Sequence, residues 1–148
     1  MADSKRRSVC FVTNELYPLG PGGIGRMLYN FAKYNAEMGF PAEFHFLIPK
    51  ALVESKPDAG ELLEAAFGDI ATIHMCPSVQ DDPTQIGRLL ARSLEYPWTS
   101  EWLFTQSFTY YLGLLAAEQR NGAPFDLIEF PDFGGWAQAA IEAKRAGL

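Results

Sequence analysis

Four glycines punctuate the stretch ELYPLGPGGIGRMLYNF, Glu15 to Phe31, and three of them, Gly20, Gly22 and Gly25, have the G-x-G-x-x-G spacing of a dinucleotide-binding loop. The chemistry such a loop supports is anion binding. Residues without side chains let a phosphate approach the backbone, and the unpaired amides of a helix start hold it with help from the helix dipole. The surroundings argue against NAD. Tyr17-Pro18-Leu19 precedes Gly20, Pro18 cannot lie in a central strand, and the loop exceeds the tight dinucleotide turn by about half a dozen residues. The acid that would hold a ribose at the end of the second strand is replaced by Ile48-Pro49-Lys50. What survives is Gly22-Gly23 at a helix start, for which phosphate approach and a plain tight turn are equal readings.

Acids form the second group. Glu129 and Asp132 flank a strand-to-helix turn, EFPDFGG, and Glu15 stands just beyond the first strand. Asp132 suits a turn or cap before Gly134-Gly135 as well as it suits a ligand contact beyond the strand end. Glu129 ends a strand, where an unpaired carboxylate is costly to bury, and this favours a binding role. Glu15 reads first as a solvated loop acid that could reach the same cleft. The two histidines, His45 and His74, lie in strand patterns with no Cys or acid at ligand spacing, so no zinc site is expected. No G-x-S-x-G occurs to support a serine triad. Arg88 and Arg92, four apart, read as a solvated face before they read as an anion patch.

The elements that position these residues alternate. SVCFVT, Ser8 to Thr13, reads as a strand buried on both sides, and Ile24, Met27, Leu28, Phe31, Tyr34, Asn35 and Met38 then recur at helical steps until Gly39 caps them. Further strands are expected over Ala42–Ile48, Ile70–Cys76 and Phe125–Phe130, with helices over Ala59–Phe67, Pro83–Leu94, from about Ser100, and Trp136–Ala146. In the Ser100 helix, Phe104, Phe108, Tyr111, Leu112 and Leu115 mark the expected core face. Strands alternating with helices predict right-handed crossovers and an α/β fold: a Rossmann-like, three-layer α/β/α domain on a mainly parallel sheet. Ligands of such sheets bind beyond the carboxyl ends of the strands, which selects the loops Asn14–Gly23 and Pro131–Gly135.

Length and charge narrow the class. With 148 residues the chain is one domain, 1–148, and its net charge of −6 with twelve scattered basic residues argues against nucleic acid as a partner. Lys5-Arg6-Arg7 is the single basic run; solvated residues leading into a strand are preferred over a lipid- or nucleic-acid-binding arm, so a membrane-surface association has no support. Cys10 and Cys76 have no paired spacing and read as buried free thiols of a cytoplasmic protein. The longest uncharged run, Trp102 to Ala117, is too short and too polar for a membrane span.

Cys10 to Phe40, CFVTNELYPLGPGGIGRMLYNFAKYNAEMGF, resembles the opening of the GT-B glycosyltransferases that include glycogen and starch synthases and the family-4 transferases. Phe125 to Leu148, FDLIEFPDFGGWAQAAIEAKRAGL, is similar to their second recurring segment, and together the two cover a little over a third of the chain. The resemblance implies two Rossmann-like domains facing each other across a cleft, with this chain as the N-terminal, acceptor-side one, itself incomplete. The C-terminal donor-binding domain is expected to be absent, since no two glutamates stand eight apart as the family's pair does. By position, Gly22 and Gly23 would meet the diphosphate or sugar of a nucleotide-sugar donor, stabilising charge on the leaving group. Glu129 and Asp132 would contact sugar or acceptor, with Glu15 at the cleft.

Two departures follow. Glu129 and Pro131 replace both histidines of the synthases' His-x-His-Asp-aromatic pattern, and Leu19-Gly20-Pro21 fills the place of the synthases' lysine. Glycogen or starch synthesis is therefore not expected. The expected function is transfer of a sugar from a nucleotide-sugar substrate to a glycan or small-molecule acceptor, with retention of configuration and no metal or other cofactor. The fragment alone is expected to be inactive. The alternative is a non-catalytic Rossmann-like module that binds a phosphate or nucleotide.

Overall fold

In the computed structural model, which describes residues 6–77, 100–132 and 134–147, the β-rich runs become four parallel strands. Strand β1 (Arg7–Val12) pairs with β2 (Ala42–Pro49) from Arg7 opposite Ala42 to Val12 opposite Leu47. On its other side β1 pairs with β4 (Leu127–Glu129), Phe11 lying opposite Glu129, and β3 (Thr72–Cys76) extends the sheet beyond β2. The order is β3-β2-β1-β4. With α1 (Gly23–Met38), α2 (Lys50–Glu54), α3 (Ala59–Phe67), α4 (Ser100–Asn121) and α5 (Gln138–Arg145) flanking it, the chain has the expected Rossmann-like three-layer α/β architecture. The helix expected over 83–94, with Arg88 and Arg92, lies outside the described residues.

Alternation along the strands sends side chains to two cores. On one face Phe11, Phe46 and Ile48 pack with Leu28 and Ala32 of α1 and Leu63 and Phe67 of α3. On the other, Cys10, Val12, Leu47 and Cys76 pack with Tyr110, Leu114 and Ala117 of α4 and with Trp136. The short edge strand β4 is held at its start: Asp126 accepts from the Ser8 amide (2.8 Å) and hydroxyl (3.2 Å), and its own amide donates to the Ser8 carbonyl (3.0 Å).

Two helix faces differ from the expectation. In α1 the buried residues are Gly25, Leu28, Ala32 and Asn35, whereas Ile24, Met27, Phe31, Tyr34 and Met38 are exposed. Small residues at positions 25 and 32 let the helix lie close to the chain beneath it, and the bulky stripe is turned outwards. The same holds for α4, where Ser107, Tyr110, Leu114 and Ala117 are buried while Phe104 and Leu115 are exposed. A Cβ on Gly113 would stand 2.9 Å from the Cys76 sulfur and 3.2 Å from Leu47, so α4 approaches the sheet too closely for anything larger there. Phe104 and Phe108 stack on each other instead, ring centres 6.3 Å apart.

Candidate functional site

The strand order places β2 and β4 on opposite sides of β1, with α1 on one face and α4 on the other, so the crevice expected of an open parallel sheet lies beyond the carboxyl ends of β1 and β4. The loop 13–22 and the turn 130–135 both leave from that crevice. Neighbouring strands run about 4.8 Å apart, so the two segments start as neighbours.

The first loop is fastened by its apolar residues. Leu16 and Leu19 are buried in the α1-side core, and the Leu16 carbonyl accepts from the amides of Leu19 (2.8 Å) and Gly20 (3.0 Å). The Thr13 hydroxyl donates to the Glu15 carbonyl and accepts from the Glu15 amide. Tyr17, whose bond to Pro18 is cis, packs on Tyr29 with ring centres 4.9 Å apart, and the Arg26 guanidinium lies 4.9 Å above the Tyr17 ring.

The glycines then separate by role. A Cβ at Gly25 would come within 2.9 Å of the Leu16 amide nitrogen and Cα, so this glycine lets α1 sit on the loop backbone. Gly20 has ordinary clearance, its nearest neighbours 3.9 Å or more away. Gly22 precedes the helix in extended conformation, and the Glu15 carboxylate occupies the space its side chain would take. Gly23 opens α1 with nothing within 4 Å of a would-be Cβ. Of the three glycines in the apparent fingerprint, Gly25 is required by packing; Gly23, which is not one of them, faces open space. The structure thus brings Glu15 and Gly22 together and leaves Gly23 accessible.

The second turn is fastened by hydrogen bonds. The Ser107 hydroxyl of α4 donates to the Trp136 carbonyl (3.0 Å) and accepts from the Ala139 amide (2.7 Å), fixing the entry into α5. Trp136 is buried and stacked on Tyr110, ring centres 4.8 Å apart. Gly134 and Gly135 have φ of 73° and 62°, left-handed values that disfavour a side chain. Glu129 and Asp132 are both exposed. Water solvates the Glu129 carboxylate, so the cost of burying it does not apply and its placement rests on the strand end alone. An open depression of about 490 Å³ beside Asp132 is lined by Pro131, Gly135, Trp136, Gln138 and Arg145.

Sequence reasoning missed Ser107 and Gly25. A glycine inside a helical pattern and a serine on a helix's apolar face were the available signals.

The titratable groups perturbed by burial lie on the α4 face; among them the Tyr110 phenol, raised by burial, stacks on Trp136 at the second turn, and the others are two histidines and two cysteines. His45 Nδ1 and His74 Nε2 are 3.1 Å apart and share a hydrogen bond, with the Phe125 ring 4.8 Å from His45. Burial lowers both pKa values, that of His74 to about 4 with help from its neighbours His45 and Arg120. His45 Nε2 has no hydrogen-bond partner among the described residues. Both are neutral, one imidazole donating to the other. Cys10 and Cys76 are free and buried, and burial pushes both thiols up to about 12. No group of three or more His, Cys, Asp or Glu among the described residues could hold a metal ion, and no described helix is long and apolar enough to cross a membrane. No family model, no curated protein and no solved structure matches the chain.

Proposed function

We propose that this chain is the acceptor-side, N-terminal domain of a nucleotide-sugar-dependent glycosyltransferase of the GT-B kind. The observation that carries the reading is the strand order β3-β2-β1-β4, which sets the Gly22-Gly23 loop beside the Glu129–Gly135 turn at one crevice. Gly23 offers the backbone at the start of α1 to a diphosphate or sugar, and Gly22 is already approached by the Glu15 carboxylate. Glu129 and Asp132, both solvated, would contact hydroxyls of the sugar or acceptor. The donor-binding domain would close the crevice from the other side, so transfer, with retention and without a metal, would need both halves. Buried free thiols at Cys10 and Cys76 accord with a reducing, cytoplasmic setting.

The test uses two proteins, the 148-residue chain and the longest open reading frame that contains it. Transfer of labelled sugar from UDP-, GDP- and ADP-sugars should occur with the longer protein and not with the chain alone. Gly23→Trp, which has room to fold, should lower donor affinity and turnover in the longer protein by at least about tenfold. Unchanged kinetics in a folded Gly23→Trp variant would remove the loop from the site. Nucleotide binding with no transfer by the longer protein would favour a non-catalytic binding module.

A further inference from the structure

Just past the carboxyl end of β4, two short pieces of sequence enclose the depression of about 490 Å³. Phe130, Pro131 and Asp132 line it as the chain leaves the strand, and Gln138, Ile141, Glu142 and Arg145 line it from α5. Those four helix positions are spaced by three, one and three residues, so they share one face of α5. A different side of the helix carries Ala139 and Ala143, which are buried, and the Ala139 amide is the one held by the Ser107 hydroxyl. Small residues seat α5 on the fold and leave its larger side chains to the depression.

The lining has a definite chemistry. Phe130, Pro131, Trp136 and Ile141 give it an apolar body, and Ile141 is 48% exposed. Glu142 and Arg145 are engaged with each other at 2.9 Å, so their charges offset locally. The side chains of Asp132 and Gln138 are exposed and have no hydrogen-bond partner among the described residues. A hollow of roughly 300–1,000 Å³ with an apolar body and a few polar groups is the usual shape of a small-molecule site. A glycan chain fits this lining poorly: its many hydroxyls would leave water for an apolar wall, with two free polar side chains to receive them. The unpaired Asp132 carboxylate accepts from a hydroxyl and repels an anion.

We infer that this depression binds a neutral compound with an aromatic or alicyclic body and a hydroxyl group, the body resting on Ile141 and Phe130 and the hydroxyl donating to Asp132. That this compound is the acceptor of sugar rests on the sugar-transfer reading; the binding itself does not.

The test titrates 2-naphthol, neutral at neutral pH, into the 148-residue chain and follows backbone amide resonances. Shifts are expected at Asp132, Gln138 and Ile141. Ile141→Asp, at an exposed position that leaves the fold intact by circular dichroism, should weaken binding by at least about tenfold, whereas Met38→Asp, exposed on α1, should not. The parent should prefer 2-naphthol to 2-methoxynaphthalene, which has no hydroxyl to donate, and Asp132→Ala should erase that preference. Maltotriose should leave these resonances unmoved. Binding indifferent to Ile141→Asp, a hydroxyl preference that survives Asp132→Ala, or maltotriose bound here as tightly as 2-naphthol would overturn the inference. In the longer protein, transfer of labelled sugar to maltotriose and not to 2-naphthol would also overturn it while upholding the transferase. Binding of 2-naphthol at these residues with no transfer to any acceptor would count against the transferase and uphold the ligand assignment.

Discussion

The two faces of the sheet are built differently, and each holds one of the two turns at the crevice. The α1 face is almost wholly apolar: Phe11 stacks near Phe46, ring centres 5.7 Å apart, Phe46 meets Phe67 at 5.3 Å, and the first loop is drawn in by Leu16, Leu19 and the close approach at Gly25. The α4 face threads polar groups through its core, namely His45 with His74, two thiols, Tyr110, Thr105 and Ser107, and it holds the second turn through the Ser107 hydroxyl. One loop is therefore fixed by shape and the other by directed bonds. Shape fixes position with no dependence on pH, whereas directed bonds and buried titratable groups make the other face answer to protons.

The largest effect should come from spoiling the shape. Gly25→Val drives carbon atoms into the Leu16 backbone, and we expect a loss of about 3 kcal/mol or more, read as a fall in urea midpoint with unchanged slope. An equal loss from Gly23→Val would erase the distinction between the two glycines. Next, Ser107→Ala removes the acceptor of the buried Ala139 amide and should cost about 2 kcal/mol, with faster hydrogen exchange at Ala139 than at Leu28.

Acid should act on the α4 face through His74. Because the folded pKa of His74 is about 4 against an ordinary 6.5, the unfolded chain binds more protons between those values, and stability falls as pH drops from 6.5 towards 4. The slope approaches about 1.4 kcal/mol per pH unit for one such group, and His74→Leu should flatten it in denaturation curves taken across that window. The raised thiols add a mirror loss above pH 9, where the unfolded chain releases protons that the fold retains. The smallest effect is Gly23→Ala, expected within about 0.5 kcal/mol of the parent because the added methyl meets nothing.

Element types were legible because they depend on local signals: the period change at Ile24, the cap at Gly39, the break at Asn121 to Pro124. The sites of the two turns were legible for the same reason, since turn residues and helix starts announce themselves in a few positions. Which side of a helix is buried was not. In α1 and α4 the apolar pattern is wider than the contact face, and small residues at positions 25, 32, 107, 113 and 117 decide the contact by how closely the backbone can approach. Closeness of approach belongs to the assembled fold. The same is true of Glu129, whose exposure follows from β4 standing at the edge of the described sheet.

The clasp between Ser8 and Asp126 acts as a reading frame for the last strand. Strand faces alternate with a period of two, so a slip of β4 by a single residue along β1 would exchange Ile128 and Glu129, driving a carboxylate among Cys10, Val12 and Trp136 and turning an apolar side chain to water. A strand of only three residues has little else to prevent this. By spending one carboxylate on both the amide and the hydroxyl of Ser8, the chain sets the phase of the strand before its first ladder bond, and with it the side from which Glu129 can be reached.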